Sequence, residues 1–138
     1  MNQTSQNSPE RTLVVIPSFN EEGRVGEVVR RVRLAAPFAT VLVVDDASSD
    51  RTSAEARQAG ARVLRHPVNL GYGAAVKTGL MVALREKFPF VVHMDGDGQH
   101  EPQSISALLA EVKENRADVA IGSRFTGKGD YQTPLLRK

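Results

Sequence analysis

Two carboxylates one residue apart, Asp95 and Asp97 in the stretch DGDGQH, are the residues of this chain best suited to chemistry. The apolar run at residues 90–94 leads into them, and Gly96 and Gly98 let the backbone turn tightly around them. A buried strand would thus deliver paired hard oxygen ligands to a loop, able to hold a divalent cation while leaving positions open for a phosphorylated ligand. Asp and Gly are also what surface turns use, so the pair by itself leaves both readings open. A calcium loop of the EF-hand type is excluded, because His100 stands where its glycine is needed and Ser106 where its last glutamate is needed. His93 and His100 lack a third partner at ligand spacing and read as structural or solvated.

Further candidates lie elsewhere in the chain. Asp45 and Asp46 end the apolar run at residues 41–44 and are followed by Ser48, Ser49 and Asp50. One of these last three is expected to cap the next helix, but capping does not explain two adjacent acids, whose like charges need partners. A nucleotide's base N–H and ribose hydroxyls are suitable donors to them. The stretch NLGYGAAVKTG has neither a dinucleotide fingerprint nor a Walker A loop, since Val76 occupies the glycine position of both. A glycine-opened helix with a solvated Lys77 is one reading; the other turns the helix N-terminus and Lys77 toward a diphosphate. Arg124, in IGSRF after a further apolar run, is a candidate phosphate ligand.

The elements that must position these groups follow from periodicity. Residues 12–16, 41–44, 62–66, 90–94 and 119–121 read as five strands, the third less buried and near a sheet edge. Four helices alternate with them. The first carries Val25, Val28, Val29 and Val32; the second opens with Thr52 and Glu55 at capping-box spacing and ends at Gly60. The third presents Val76, Leu80, Ala83 and Leu84 as its core face, and the fourth, opened by Pro102, presents Ile105, Leu108, Leu109 and Val112. This alternation predicts an α/β fold, a mostly parallel Rossmann-like sheet with helices on both faces. If the strand order begins 3-2-1-4, the crevice where that order reverses lies between strands 1 and 4. It would bring residues 17–21, 45–46 and 95–99 together.

Composition fits one domain over residues 12–138 behind a disordered polar tail at 1–11: 138 residues, 41% hydrophobic and 25% charged. A net charge of +2 without aromatics interleaved among basic residues gives no case for nucleic acid. The absence of cysteine removes disulfides and thiolate-ligated zinc and fits a reducing compartment. No apolar run approaches the roughly 20 residues of a membrane span. The expected location is the cytoplasm, with peripheral contact at the inner face of a membrane left open.

IPSFNEE at 16–22, VVDDASSD at 43–50, NLGYGAAVKTG at 69–79, DGDGQHEP at 95–102 and GSR at 122–124 resemble, in order, the motifs of the inverting family 2 glycosyltransferases of GT-A fold. The likeness is strongest to the dolichyl- or polyprenyl-phosphate sugar synthases that use mannose or glucose. The resemblance implies that Pro17, Phe19 and Glu21 form a nucleotide-contacting loop, Phe19 lacking the hydroxyl of the tyrosine often found there. It implies that Asp45 reads the base with Asp46 beside it, and that Lys77 and Gly96 belong to the donor site. Asp95 and Asp97 would hold Mg2+ or Mn2+ against the diphosphate with Gln99 nearby, Asp97 acting in catalysis, and Arg124 would orient the acceptor phosphate. The implied reaction moves a sugar, with inversion, from a nucleotide-diphosphate sugar of the GDP-mannose or UDP-glucose type to an acceptor, a polyprenyl or dolichyl phosphate. Such an acceptor needs no general base, because a phosphate monoester with a second pKa of about 6 is already largely ionised. Domains of this family continue past a fifth strand, so the chain is expected to be the donor-binding part. A non-catalytic nucleotide-sugar-binding module shares every donor motif. A phosphoacceptor receiver domain, with VLVVDDA as its first strand and Asp95 phosphorylated, is disfavoured by the strand and helix that precede that run.

Overall fold

The expected alternation of strand and helix is present in a computed structural model that describes residues 11–122. In chain order the elements are β1 (Thr12–Ser18), α1 (Val25–Ala35), β2 (Thr40–Asp45), α2 (Thr52–Gln58), β3 (Arg62–Arg65), α3 (Tyr72–Arg85), β4 (Phe90–His93) and α4 (Ser104–Lys113). The strands form one parallel sheet in the order β3-β2-β1-β4. Every residue of β1 is buried, as befits a strand flanked on both edges and covered on both faces, whereas β3 at the edge is open at both ends.

Alternate residues of the central strands feed two cores. Val14, Ile16, Val41 and Val43 meet the valines of α1, Ala56 of α2, and Ile105 and Leu109 of α4. Leu13, Val15, Leu42 and Val44 meet Ala75 and Ala83 of α3 on the other face. Among the described residues, three helices thus cover one face and α3 alone the other. That helix sits close, because Gly79 leaves no room: a Cβ there would fall 2.2 Å from Val15 Cγ1.

Several expectations are corrected. Residues 119–121 form no strand, and Val119 and Ile121 are exposed, since among the described residues no neighbouring strand pairs with them. The face of α3 that packs is Ala75, Gly79 and Ala83, while Leu80 and Leu84 point to solvent. Arg11, placed in the tail by composition, belongs to the fold: it donates to the Glu86 carbonyl at 3.2 Å and stacks on Phe88 at 4.1 Å. β1 does not stop at Pro17 but runs to Ser18, its last three residues pairing only with β2. The Val15 carbonyl faces β4 and that of Ser18 faces the β2 side, so the missing N–H of Pro17 falls on the β4 side, beyond the last β1–β4 pair, Val15 and His93. There β1 and β4 part, and the space between them opens.

Candidate functional site

The opening lies at the carboxyl ends of the strands, where the order reverses between β1 and β4. It is a cleft of about 410 Å³ lined by Pro17, Ser18, Phe19 and Glu21 after β1, Asp46 after β2, Asn69, Gly71, Tyr72 and Ala75 at the start of α3, and Asp95, Gly96 and Asp97 after β4. That volume suits a small ligand. A larger hollow of about 550 Å³ lies at the amino ends of β2 and β3, but its arginines are engaged: Arg30 with Glu27, Arg33 with the Ala59 carbonyl, Arg62 with Glu86.

The first wall is held by loop-to-loop hydrogen bonds. Asn20, at φ 51°, donates its N–H to Ser48 Oγ at 2.9 Å and accepts from Ser49 N at 2.9 Å. Glu21 N donates to Thr52 Oγ1 at 2.8 Å, Glu22 N to Asp50 Oδ2 at 3.1 Å and Gly23 N to Glu55 Oε2 at 2.8 Å. Asp50 also accepts from Thr52 N at 2.9 Å, an Asx turn across Arg51; the N-cap of α2 is Arg51, which makes no side-chain cap bond, so none of the three residues expected to cap the helix does so. The expected Thr52–Glu55 capping box is absent, because Glu55 is drawn to the turn before α1. Glu21 lies 2.7 Å from Arg24 Nε.

The adjacent acids are separated by strand geometry, which turns successive side chains to opposite faces. Asp45 is fully buried and accepts from Ser48 N at 2.9 Å, from Ser53 Oγ, and from Arg65 at 2.8 Å. Burial alone would raise its pKa, but the hydrogen bonds from Ser48 and Ser53 and the Arg65 charge outweigh it and hold the carboxyl below its ordinary range. Asp46, at 3% exposure, accepts from Leu70 N, Gly71 N and His66 Nδ1, each at 2.8 Å. Burial again opposes and these donors prevail, so its pKa is also lowered. The other ring nitrogen of His66, Nε2, lies 2.9 Å from Thr78 Oγ1, so the ring bridges Asp46 and α3. Both acids therefore have protein partners, and of the two it is Asp46 that lines the cleft.

At the far wall Tyr72 Oη donates to Asp95 Oδ1 at 2.7 Å and stands 2.8 Å from His93 Nε2, the rings meeting edge to face. Burial, the Asp95 hydrogen bond and the charges of Asp95 and Asp97 push its pKa up to about 12. Asp95 N donates to His100 Nδ1 at 3.3 Å, and Asp97 Oδ1 accepts from Gln99 N at 2.9 Å. Gly96 is pressed against β1, where a Cβ would meet Ser18 Oγ at 2.5 Å. Gln99 and Lys77 are exposed and do not line the cleft, and Arg124 lies outside the described residues. Tyr72 and His66 are not among the site residues expected from sequence: Tyr72 sits within NLGYG, whose glycines are the stronger signal, and no spacing rule links His66 to Asp46.

Among the described residues no group of three or more histidine or acidic side chains is arranged to hold a metal. The donor chemistry that is present, two partly exposed carboxylates on a cleft, suits a hard cation whose other positions are filled by phosphate oxygens and water. Nor does the sheet fit a receiver domain: with β2 as first strand, β4 would have to pair with it, and β4 pairs with β1.

The family model for Glycosyl transferase family 2 matches residues 13–137. A polyprenol monophosphomannose synthase of Mycolicibacterium smegmatis is 40% identical over 126 residues, 87% of this chain and 47% of the relative. An undecaprenyl-phosphate mannosyltransferase of Micrococcus luteus is 39% identical over 134 residues, 93% of this chain and 54% of the relative. The chain spans about half the length of these curated relatives. In fold it resembles the glucosyl-3-phosphoglycerate synthase of Mycobacterium tuberculosis crystallised with Mn2+, UDP and glucosyl-3-phosphoglycerate, with a TM-score of 0.65 and 24% identity over 78% of this chain and 41% of that one.

Proposed function

The chain belongs to glycosyl transferase family 2, and from that premise we propose that its cleft binds a nucleotide-diphosphate sugar with a divalent cation, Mg2+ or Mn2+, for inverting transfer to a polyprenyl phosphate. The observation that carries this reading is the convergence of residues 17–21, Asp46, the N-terminus of α3, and Asp95 and Asp97 on one cleft. Relatives named for transfer to polyprenyl or undecaprenyl phosphate support the acceptor class, and a fold neighbour crystallised with Mn2+ and UDP supports the donor class.

In this reading Asp95 and Asp97 hold the cation, which supplies Lewis-acid stabilisation of the charge that grows on the departing diphosphate. Tyr72 fixes the Asp95 carboxylate, and the Gln99 N–H fixes that of Asp97. The first turn of α3, set at the cleft by the Asp46 bonds to Leu70 and Gly71, presents its positive dipole end to the diphosphate. Phe19, 48% exposed on the rim, offers an apolar surface to a base. Arg124 takes the acceptor phosphate and Lys77 adds positive charge beyond the cleft lining.

The test is a thermal-shift panel of GDP-mannose, UDP-glucose and related donors, with and without Mn2+. A donor at a hundred times its dissociation constant stabilises by about 2.7 kcal/mol, roughly 10 °C for a domain of this size. Stabilisation by no donor in the presence of Mn2+ sinks the reading. Transfer of labelled sugar to a polyprenyl phosphate is measured separately, because the chain covers about half of its relatives and a donor-binding module would pass the first assay alone.

A further inference from the structure

Two of the four residues of α3 that the sequence offers as core, Leu80 and Leu84, face solvent at 45% and 80% exposure, and Met81 beside them is 59% exposed. Lys77 and Arg85 share that exposed face, opposite the packed Ala75, Gly79 and Ala83. No Asp or Glu occurs anywhere in α3, and the first acid after it, Glu86, is bound to Arg62 at 2.7 and 2.8 Å. A helix that turns large apolar side chains and only positive charge outward matches a surface that is apolar inside and anionic outside. We infer that the outer face of α3 docks on an anionic lipid bilayer.

A second copy of the chain is a poorer counterpart, because a two-fold pairing of this face sets Lys77 and Arg85 against their own equivalents. The loop entering α3 continues the exposed apolar surface with Val68, 59% exposed, and Leu70, 55% exposed, and these residues alternate with the cleft-lining Asn69 and Gly71. A bilayer on this face thus brings the rim of the cleft to headgroup level. What the contact serves, access to a lipid-phosphate acceptor, rests on the proposed function; the contact itself is measured without it.

The experiment is flotation of the full chain with vesicles of phosphatidylglycerol and phosphatidylcholine in equal parts, and with phosphatidylcholine alone, at low and raised salt. Expected are salt-sensitive binding to the anionic vesicles and a loss of about tenfold or more in two double variants, Leu80→Gln with Leu84→Gln and Lys77→Gln with Arg85→Gln. All four side chains are exposed, so melting temperatures should stay near that of the parent chain. Retained donor stabilisation in the first pair separates lost docking from a damaged cleft. No binding to anionic vesicles, or binding that neither double variant weakens, overturns the proposal. So does light scattering that shows the leucine pair dissolving a dimer while vesicle binding persists. If vesicles bind as expected while no donor stabilises the parent chain, the docking surface stands and the donor site falls.

Discussion

Replacing Gly79 by alanine should cost stability although alanine is the better helix former. The added Cβ would lie 2.2 Å from Val15 Cγ1, 2.9 Å from Cγ2 and 3.1 Å from Cβ. The shortest of these falls more than about 1 Å inside the roughly 3.5–4.0 Å optimum for carbon contacts. Val15 cannot step aside, being β-branched, 1% exposed and paired with Leu42 on one side and His93 on the other. The clash must move α3 off the sheet, an overpacking cost of about 1–3 kcal/mol, of which the better helix propensity returns at most about 1 kcal/mol. A 2.2 Å approach to a side chain that cannot move puts the cost toward the upper end of that range, so the net loss is up to about 2 kcal/mol and lowers the melting temperature by up to roughly 8 °C. Gly73 in the same helix is the internal control: a Cβ there meets nothing within 4 Å, so Gly73→Ala should raise the melting temperature by a few degrees. Thermal and urea unfolding of the two variants side by side decide the matter. If Gly79→Ala stabilises as Gly73→Ala does, the close approach of α3 to β1 is refuted.

Tyr72→Phe removes a hydroxyl from a largely exposed ring, so stability should stay within about 0.5 kcal/mol, while the Mn2+ concentration needed for donor stabilisation rises about tenfold or more. An unchanged Mn2+ requirement refutes the positioning role, and wholly lost metal dependence in Asp97→Ala with the fold intact is the companion result expected for a ligand. Asp46→Asn leaves one of three donors facing an amide NH2 and should cost about 1–3 kcal/mol in urea unfolding. Asp45, Asp46 and Asp50 all have folded pKa values below the ordinary 3.8, so the unfolded chain binds more protons at acid pH. Their stabilisation is complete above about pH 5 and disappears as pH falls through the lowered folded values. Urea midpoints measured downward from pH 6 should fall below about pH 4, less steeply in Asp46→Asn, and an identical slope counts against the assignment.

What the sequence made legible and what it hid divide along a physical line. Continuous valine-rich runs at β1 and β2 and the valine stripe of α1 identify themselves, because a surface buried on a sheet requires large apolar residues at a fixed period. The strand order then brings residues 17–21 and 95–97 to one crevice, as the parallel alternation implied. The reading failed where contact distance decides. α3 lies so near Val15 that only Ala75, Gly79 and Ala83 fit, and a scale that looks for large apolar residues adds the exposed Leu80 and Leu84 to the core and passes over Ala75 and Gly79. It also failed at residues 119–121, whose apolar character is real but whose strand needs a neighbour absent among the described residues. The adjacent acids show the remaining limit. Sequence places Asp45 and Asp46 together at a strand end; which of them meets the cleft depends on where Arg65, Ser53, His66 and the residue 70–71 amides come to lie. Asp45 closes its own loop against α2 and β3, and Asp46 anchors the start of α3 beside the cleft. Tyr72 then carries that helix start across to Asp95. The first turn of α3 is thus tied to β2 and β4 at once, so any shift of this helix must change both the end of the cleft proposed for the diphosphate and the carboxylate proposed to hold the metal.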